Sequence, residues 1–154
     1  MRLHNEVAII TGGSRGIGKE VARRFLLEGA KVVIVARNSN EIDETVTELK
    51  EYGVIEGFSV DISKKSEVEK LVRHVVNCYQ KVDILVNAAG IQDPIGEFIE
   101  CNIDAWQENL KVNICGTAIC SYYVLPWMIK NNKGKIINFS GGGANYSRPN
   151  FSAY

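Results

Sequence analysis

Short, uninterrupted apolar runs alternate along the chain with longer stretches of helical period. Val7-Ala8-Ile9-Ile10, Val32-Val33-Ile34-Val35 and Ile84-Leu85-Val86 contain no polar position, the pattern of parallel strands covered on both faces. Strands are predicted over Glu6–Thr11, Lys31–Ala36, Ile55–Val60, Asp83–Asn87 and Lys135–Ser140. Helices are predicted over Gly16–Glu28, Asn40–Tyr52, Lys64–Tyr79 and Ala105–Lys130. Gly29 and Gly53 serve as C-terminal stops for the first two, and Asn40 and Ser63 as N-caps. Repeated strand–helix–strand units connect right-handedly, so the expected class is α/β: a doubly wound parallel sheet with helices on both faces, binding ligands beyond the carboxyl ends of its strands.

The first of those strand ends carries the strongest chemical signal. Thr11-Gly12-Gly13-Ser14-Arg15-Gly16-Ile17-Gly18 joins a buried strand to an amphipathic helix. Glycines there let the backbone turn sharply and approach a pyrophosphate, and the following helix directs its unpaired N–H groups at the anion. The full G-x-x-x-x-G-K-[ST] of a P-loop is not matched, since Glu20 follows Lys19. The reading is a Rossmann-type dinucleotide site. Arg37 stands at the end of the second strand, where an acid usually meets the ribose 2′-hydroxyl of NAD. A guanidinium there, with Arg15 in the loop, suits the 2′-phosphate of NADP, so NADP rather than NAD is the expected cofactor. The plainer alternative is that both arginines are solvated surface residues. Asp61, followed by Ile62 after the third strand, is placed to reach an adenine amino group. Asn87-Ala88-Ala89-Gly90 ends the fourth strand with small residues that let backbone lie against a cofactor.

Composition removes several other classes. With 154 residues, 45% apolar and 23% charged, the chain has the length and make-up of one globular domain. Eighteen basic and eighteen acidic residues cancel, which argues against nucleic acid or an anionic membrane surface as partner. No apolar stretch is expected to match the roughly 20 residues of a bilayer span, and the first strand starts too early for a signal peptide. A cytoplasmic location is expected. Cys78, Cys101, Cys115 and Cys120 form no C-x-x-C pair and read as buried thiols, so no metal site is expected. His4 and His74 lie beside charged neighbours and read as surface residues.

Together these motifs resemble the short-chain dehydrogenase/reductase family, and within it the group that includes the 3-oxoacyl-carrier-protein reductases. Thr11-Gly12, Gly16 and Gly18 are similar to its T-G-x-x-x-G-x-G, Asn87-Ala88-Ala89-Gly90 to its N-[NA]-A-G, and Asp61 to its adenine-contacting acid. The resemblance covers the whole chain. It implies that Asn113 is the family's catalytic asparagine, which kinks a long helix and holds a water; a structural Asn inside that helix is the alternative. It implies that Ser152-Ala153-Tyr154 carries the catalytic tyrosine, with Tyr154 as proton donor to a ketone or from a secondary alcohol. A phenol with a reference pKa of about 10 needs a nearby cation for that work, which the family supplies as a Lys four positions on.

Two departures qualify the transfer. The family's serine stands thirteen residues before its tyrosine and twenty-eight after its asparagine, and both spacings fall on Gly141. Ser140 is one residue early and can serve only if the strand has ended or bulged there; Ser147 or a backbone N–H of the run Gly141-Gly142-Gly143 is the alternative donor. The chain also ends at Tyr154, so residues 1–154 correspond to about the first three fifths of a family member, a sheet incomplete on its C-terminal side. The long helix and the fifth strand are then left with uncovered apolar faces, each hundred Å² of which is worth about 2.5 kcal/mol. Relatives use that helix in a dimer or tetramer contact, which makes Trp106, Tyr122, Tyr123 and Trp127 candidates for a homo-oligomer interface or, equally, for core. The competing functional reading is a catalytically silent nucleotide-binding module or fragment.

Overall fold

The computed structural model describes residues 1–141, 143 and 145–154; Gly142 of the glycine run lies outside the described residues. The chain runs β1 (Val7–Thr11), α1 (Gly16–Leu27), β2 (Lys31–Ala36), α2 (Ser39–Leu49), β3 (Ile55–Ser59), α3 (Lys65–Tyr79), β4 (Ile84–Asn87), α4 (Ile103–Leu110), α5 (Thr117–Lys130) and β5 (Lys135–Asn138). All five strands pair in parallel in the order β3-β2-β1-β4-β5. The chain therefore steps outward from β1 to β3, then returns to the other side of β1. That reversal opens a crevice at the carboxyl ends of β1 and β4.

Alternation along β1, β2 and β4 explains why no polar position interrupts their apolar runs. Val7 and Ile9 of β1, with Val33, Val35 and Leu85, pack against α3 and α5, where Val72, Val75, Val124 and Met128 meet them. Ala8 and Ile10, with Val32, Ile34, Ile84 and Val86, face the opposite side and meet Ala22, Leu26, Ile42 and Leu49 of α1 and α2. Both faces are buried, so both alternations are apolar. At the amino end, the buried Asp83 carboxylate accepts from the Val7 N–H at 2.8 Å and pairs with Lys81 at 2.8 Å, fixing β4 beside β1.

The fifth strand is different. Ile136 packs toward α5, whereas Ile137 and Phe139 on the other side are exposed, because the cluster that α1 and α2 cover on that face reaches only as far as Ile84 and Val86 of β4. The sheet is incomplete there, as expected.

Several local expectations are corrected. The long helix is continuous but not uniform: a π-helical segment, Lys111–Gly116, separates α4 from α5, and the helix starts at Ile103 rather than Ala105. Residues 112–129 hold no charged side chain, so Ile103–Lys130 is long and apolar enough by length and composition to cross a membrane, contrary to the reading above. Its apolarity has a local cause, since Val112, Cys120, Val124 and Met128 are core residues. The N-cap of α2 is Asn38, not Asn40: Asn38 Oδ1 accepts from the Asn40 and Glu41 N–H groups at 3.1 and 3.4 Å. Ser63 caps nothing; its hydroxyl donates to Asp61 Oδ1 at 2.7 Å and Lys64 holds the cap position of α3. Gly29, at φ +87°, does end α1. Of the four cysteines only Cys120 is buried, while Cys78 and Cys115 are exposed. His4 and His74 are exposed, as read.

Candidate active site

Two adjoining clefts lie at the carboxyl ends of the strands. The first, of about 430 Å³, is lined by Gly12, Ser14, Arg15, Ile17, Gly18, Arg37, Asp61, Ile62 and Ala88–Gly90, with Asn38, Glu41, Ile91 and Val112 beside them. The second, of about 280 Å³, shares the wall formed by Ala88, Ala89 and Gly90 and adds Asn87, Asn113, Asn138, Gly141 and Tyr154. Thr11 is buried and Gly16 exposed, and neither is among the residues lining the first cleft.

The turn after β1 is shaped by what a side chain would strike. Gly12 adopts φ +66°, and a Cβ there would lie 2.8 Å from Ala88 O and Ala89 N; one at Gly18 would lie 2.3 Å from Gly12 O. Loop, helix and β4 end are thus pressed together with no room for larger residues. The Ala89 N–H also donates to Thr11 Oγ1 at 3.1 Å, tying the two strand ends. Gly16, at φ +54°, has nothing within 4 Å of its Cβ position, so the start of α1 opens onto the cleft with no acidic residue in its first turn. Its N–H groups and dipole are available to an anion.

Charge around this cleft is mixed. Among the described residues Arg37 has no carboxylate at ion-pair distance, and Arg15 has only a loose contact, 3.8 Å, with Glu41. Glu41 is a residue the sequence reading missed. Its carboxylate accepts from Ser14 Oγ at 3.1 Å and from Asn38 Nδ2 at 3.2 Å, which holds a negative charge on the same wall. Partial burial pushes the Asp61 carboxyl up, but the Ser63 hydroxyl and N–H, then the Lys64 and Arg37 charges, hold it below the usual carboxylate range. Asp61 remains anionic at the cleft edge.

In the second cleft Asn113 is anchored within the π segment. Its Oδ1 accepts from the Ile91 N–H at 2.9 Å, and its Nδ2 donates to Ile91 O and Asn109 Oδ1 at 2.8 Å each. Asn87 is buried, donates to Asn138 Oδ1 at 2.9 Å, and leaves its own Oδ1 without a partner among the described residues. Tyr154 is half-exposed. A Cβ on Gly141 would lie 2.6 Å from Tyr154 Cε1 and 3.2 Å from its hydroxyl oxygen. The wall facing the phenol is therefore Gly141. Ser140 lines neither cleft, and among the described residues its hydroxyl finds only Gly141 O at 3.5 Å. β5 ends at Asn138, so the strand has stopped before Ser140, yet the next residue is the one beside Tyr154. Arg148, also missed, lies 3.7 Å from the Phe151 ring centroid and 5.6 Å from that of Tyr154.

A parallel sheet with glycine turn, open helix terminus and switch-point cleft defines a Rossmann-type α/β domain. The sequence profile of the short chain dehydrogenase family matches residues 6–154, and the chain belongs to that family. It is 35% identical over 156 aligned residues to the uncharacterized oxidoreductase YxbG of Bacillus subtilis (strain 168), covering 99% of this chain and 57% of that one. To dehydrogenase/reductase SDR family member 4 of Sus scrofa it is 34% identical over 153 residues, covering 99% and 55%. An NAD+-bound xylitol dehydrogenase structure superposes with a TM-score of 0.96 at 24% identity, over 100% of this chain and 60% of that one, a likeness of fold. The chain thus spans little more than half the length of these curated relatives.

Proposed function

We propose that the protein is an NADP(H)-dependent oxidoreductase that interconverts a small ketone and a secondary alcohol in the cytoplasm, as a homo-oligomer. The carrying observation is the first cleft: an anion-ready helix terminus, glycines at contact distance and Arg37 with no carboxylate at ion-pair distance among the described residues. Residues Gly12–Gly18 would hold the pyrophosphate, Arg37 and Arg15 the 2′-phosphate, Asp61 and Ile62 the adenine, and Asn87–Gly90 the nicotinamide side. When bound, the nicotinamide supplies or accepts the hydride. Tyr154 then donates its phenolic proton to the carbonyl oxygen, or takes it back in the reverse direction. Asn113 holds the Ile91 backbone and so shapes the wall opposite Tyr154. Ser140 enters this scheme only if the segment after β5 rearranges to bring its hydroxyl past Gly141. Four free cysteines suit a reducing compartment.

Two observations favour narrower readings. The Glu41 carboxylate favours a free ribose 2′-hydroxyl over a phosphate. Gly141 beside Tyr154 favours a module that binds nucleotide without turnover. Calorimetry with NADPH and NADH on the chain and its Arg37→Glu variant separates the first pair: tighter NADPH binding, reversed by the substitution, is expected. No heat with either coenzyme would overturn the site altogether. Loss of NADPH absorbance with a ketone panel, abolished in Tyr154→Phe while coenzyme binding persists, is the expected sign of turnover; binding without any absorbance change supports the silent module.

A further inference from the structure

The loop after β5 brings a guanidinium to the side of Tyr154 and holds it there. The Phe151 N–H donates to Arg148 O at 3.3 Å and the Tyr154 N–H to Phe151 O at 3.2 Å, two turns that fix residues 148 and 154 relative to one another. The loop is tied down from outside as well: the Gly96 N–H donates to Asn150 O at 2.9 Å and the Trp106 indole N–H to Ser152 Oγ at 3.3 Å. On this frame the Arg148 guanidinium carbon stacks 3.7 Å from the Phe151 ring centroid and stands 5.6 Å from that of Tyr154. Arg148 is exposed, and among the described residues it has no carboxylate at ion-pair distance and no acceptor for its N–H groups. Stacking engages the flat face of a guanidinium. Its N–H edge, the part that grips a carboxylate in a bidentate pair, is left open to a ligand.

The second cleft, which Tyr154 lines, has no charged residue in its wall: its polar members Asn87, Asn113, Thr117 and Asn138 are neutral, and Ile114 and Phe139 are apolar. An anion entering it meets no carboxylate there. The phenol oxygen of Tyr154 is within about 8.5 Å of the Arg148 guanidinium carbon, a gap that a carbonyl and a carboxylate a few carbons apart bridge through hydrogen bonds of about 2.8 Å at each end. We propose that Arg148 is a specificity-determining residue and that the ketone is a short oxo acid, its carbonyl oxygen on the Tyr154 hydroxyl and its carboxylate on the Arg148 fork. This rests on the carbonyl–alcohol reading above and narrows it to one substrate class. The carbonyl carbon gains the hydride and the oxygen gains the Tyr154 proton, as in that reading, so the product is the hydroxy acid. Arg148 transfers neither and acts by binding the carboxylate.

The test compares 4-oxopentanoate with its neutral methyl ester, titrated into the intact chain with and without NADP+ and followed by broadening of the ligand's NMR lines. Neither ketone can react with the oxidised coenzyme, so the readout is binding alone. The acid is expected to bind about tenfold tighter than the ester, and Arg148→Gln to bring that ratio close to unity. Added salt should narrow the same ratio by screening the pair. A guanidinium that only stapled the loop to Phe151 would not discriminate by charge. Equal binding of acid and ester, binding of neither, or an acid:ester ratio unaltered in Arg148→Gln overturns the proposal. NADPH consumption separates it from the reading beneath: turnover of both ketones with equal kcat/KM keeps the oxidoreductase and removes Arg148 from specificity. Preferential binding of the acid with no turnover of either ketone keeps Arg148 as an anion-recognising residue and removes the oxidoreductase.

Discussion

At the scale of single residues, cofactor choice turns on a contest that neighbouring side chains set up within one wall. Arg37 faces the cleft with no carboxylate partner among the described residues, while Glu41 brings a carboxylate fixed by Ser14 and Asn38 to the same region. A negative charge several ångströms from a bound phosphate costs about 1 kcal/mol at the effective dielectric of a partly exposed cleft. Glu41→Gln keeps an acceptor for Ser14 but removes that charge. The expected result is about a fivefold rise in the NADPH:NADH affinity ratio, read by paired titrations at low salt; an unchanged ratio would remove Glu41 from the account. Neither Glu41 nor Arg148 was legible in the sequence. Glu41 enters the cleft only because Asn38 starts α2 where it does, and Arg148 only because the loop after β5 folds back over Tyr154. The glycine turn, by contrast, was legible because its residue types follow from local sterics and its neighbours in sequence.

At the scale of elements, β1, β2 and β4 declared themselves because burial on both faces leaves no polar position in their apolar runs, and β2 has the bounds its run predicts. What failed were features decided by contacts distant in sequence. Asn38 and Asn40 are equally good cap residues; the extended backbone at Asn38, φ −89° and ψ 109°, selects it. The π segment arises where the Asn113 carboxamide reaches across to Ile91, and nothing within residues 105–130 announces that partner. The Gly141 problem was visible from spacing, but that its Cβ position abuts the Tyr154 ring required the folded loop. Asn113→Ala tests how far this anchor supports the helix. It leaves the Ile91 N–H without its acceptor and removes two further hydrogen bonds. A loss of about 1–3 kcal/mol is expected, seen as a lower urea midpoint at unchanged slope. A midpoint equal to that of the wild type would show that the π segment is held by packing of Val112 and Gly116 alone.

At the scale of the whole molecule, the uncovered surfaces are continuous with the site rather than remote from it. Ile114, Tyr122, Leu125 and Ile129 emerge at helical spacing along one side of the π segment and α5, with Tyr122 70% and Ile129 74% exposed. Tyr123 and Trp127 turn inward onto the core, and half-buried Trp106 donates to Ser152 Oγ at 3.3 Å beside the Tyr154 loop. Of the four aromatics read as interface candidates, Tyr122 alone stands clear of the body. An apolar stripe of this kind is unstable in water unless something covers it. If a second copy does so about a two-fold axis, every residue near that axis meets its own counterpart. A single charge introduced there is then doubled and faces its own sign, which costs several kcal/mol in a water-poor contact. Ile129→Glu is therefore expected to shift the chain from dimer or larger to monomer in light scattering coupled to gel filtration, and raised salt should partly restore association by screening the repulsion. A wild-type chain that elutes as a monomer at all concentrations would remove the homo-oligomer from the proposed function and leave the stripe to some other covering surface.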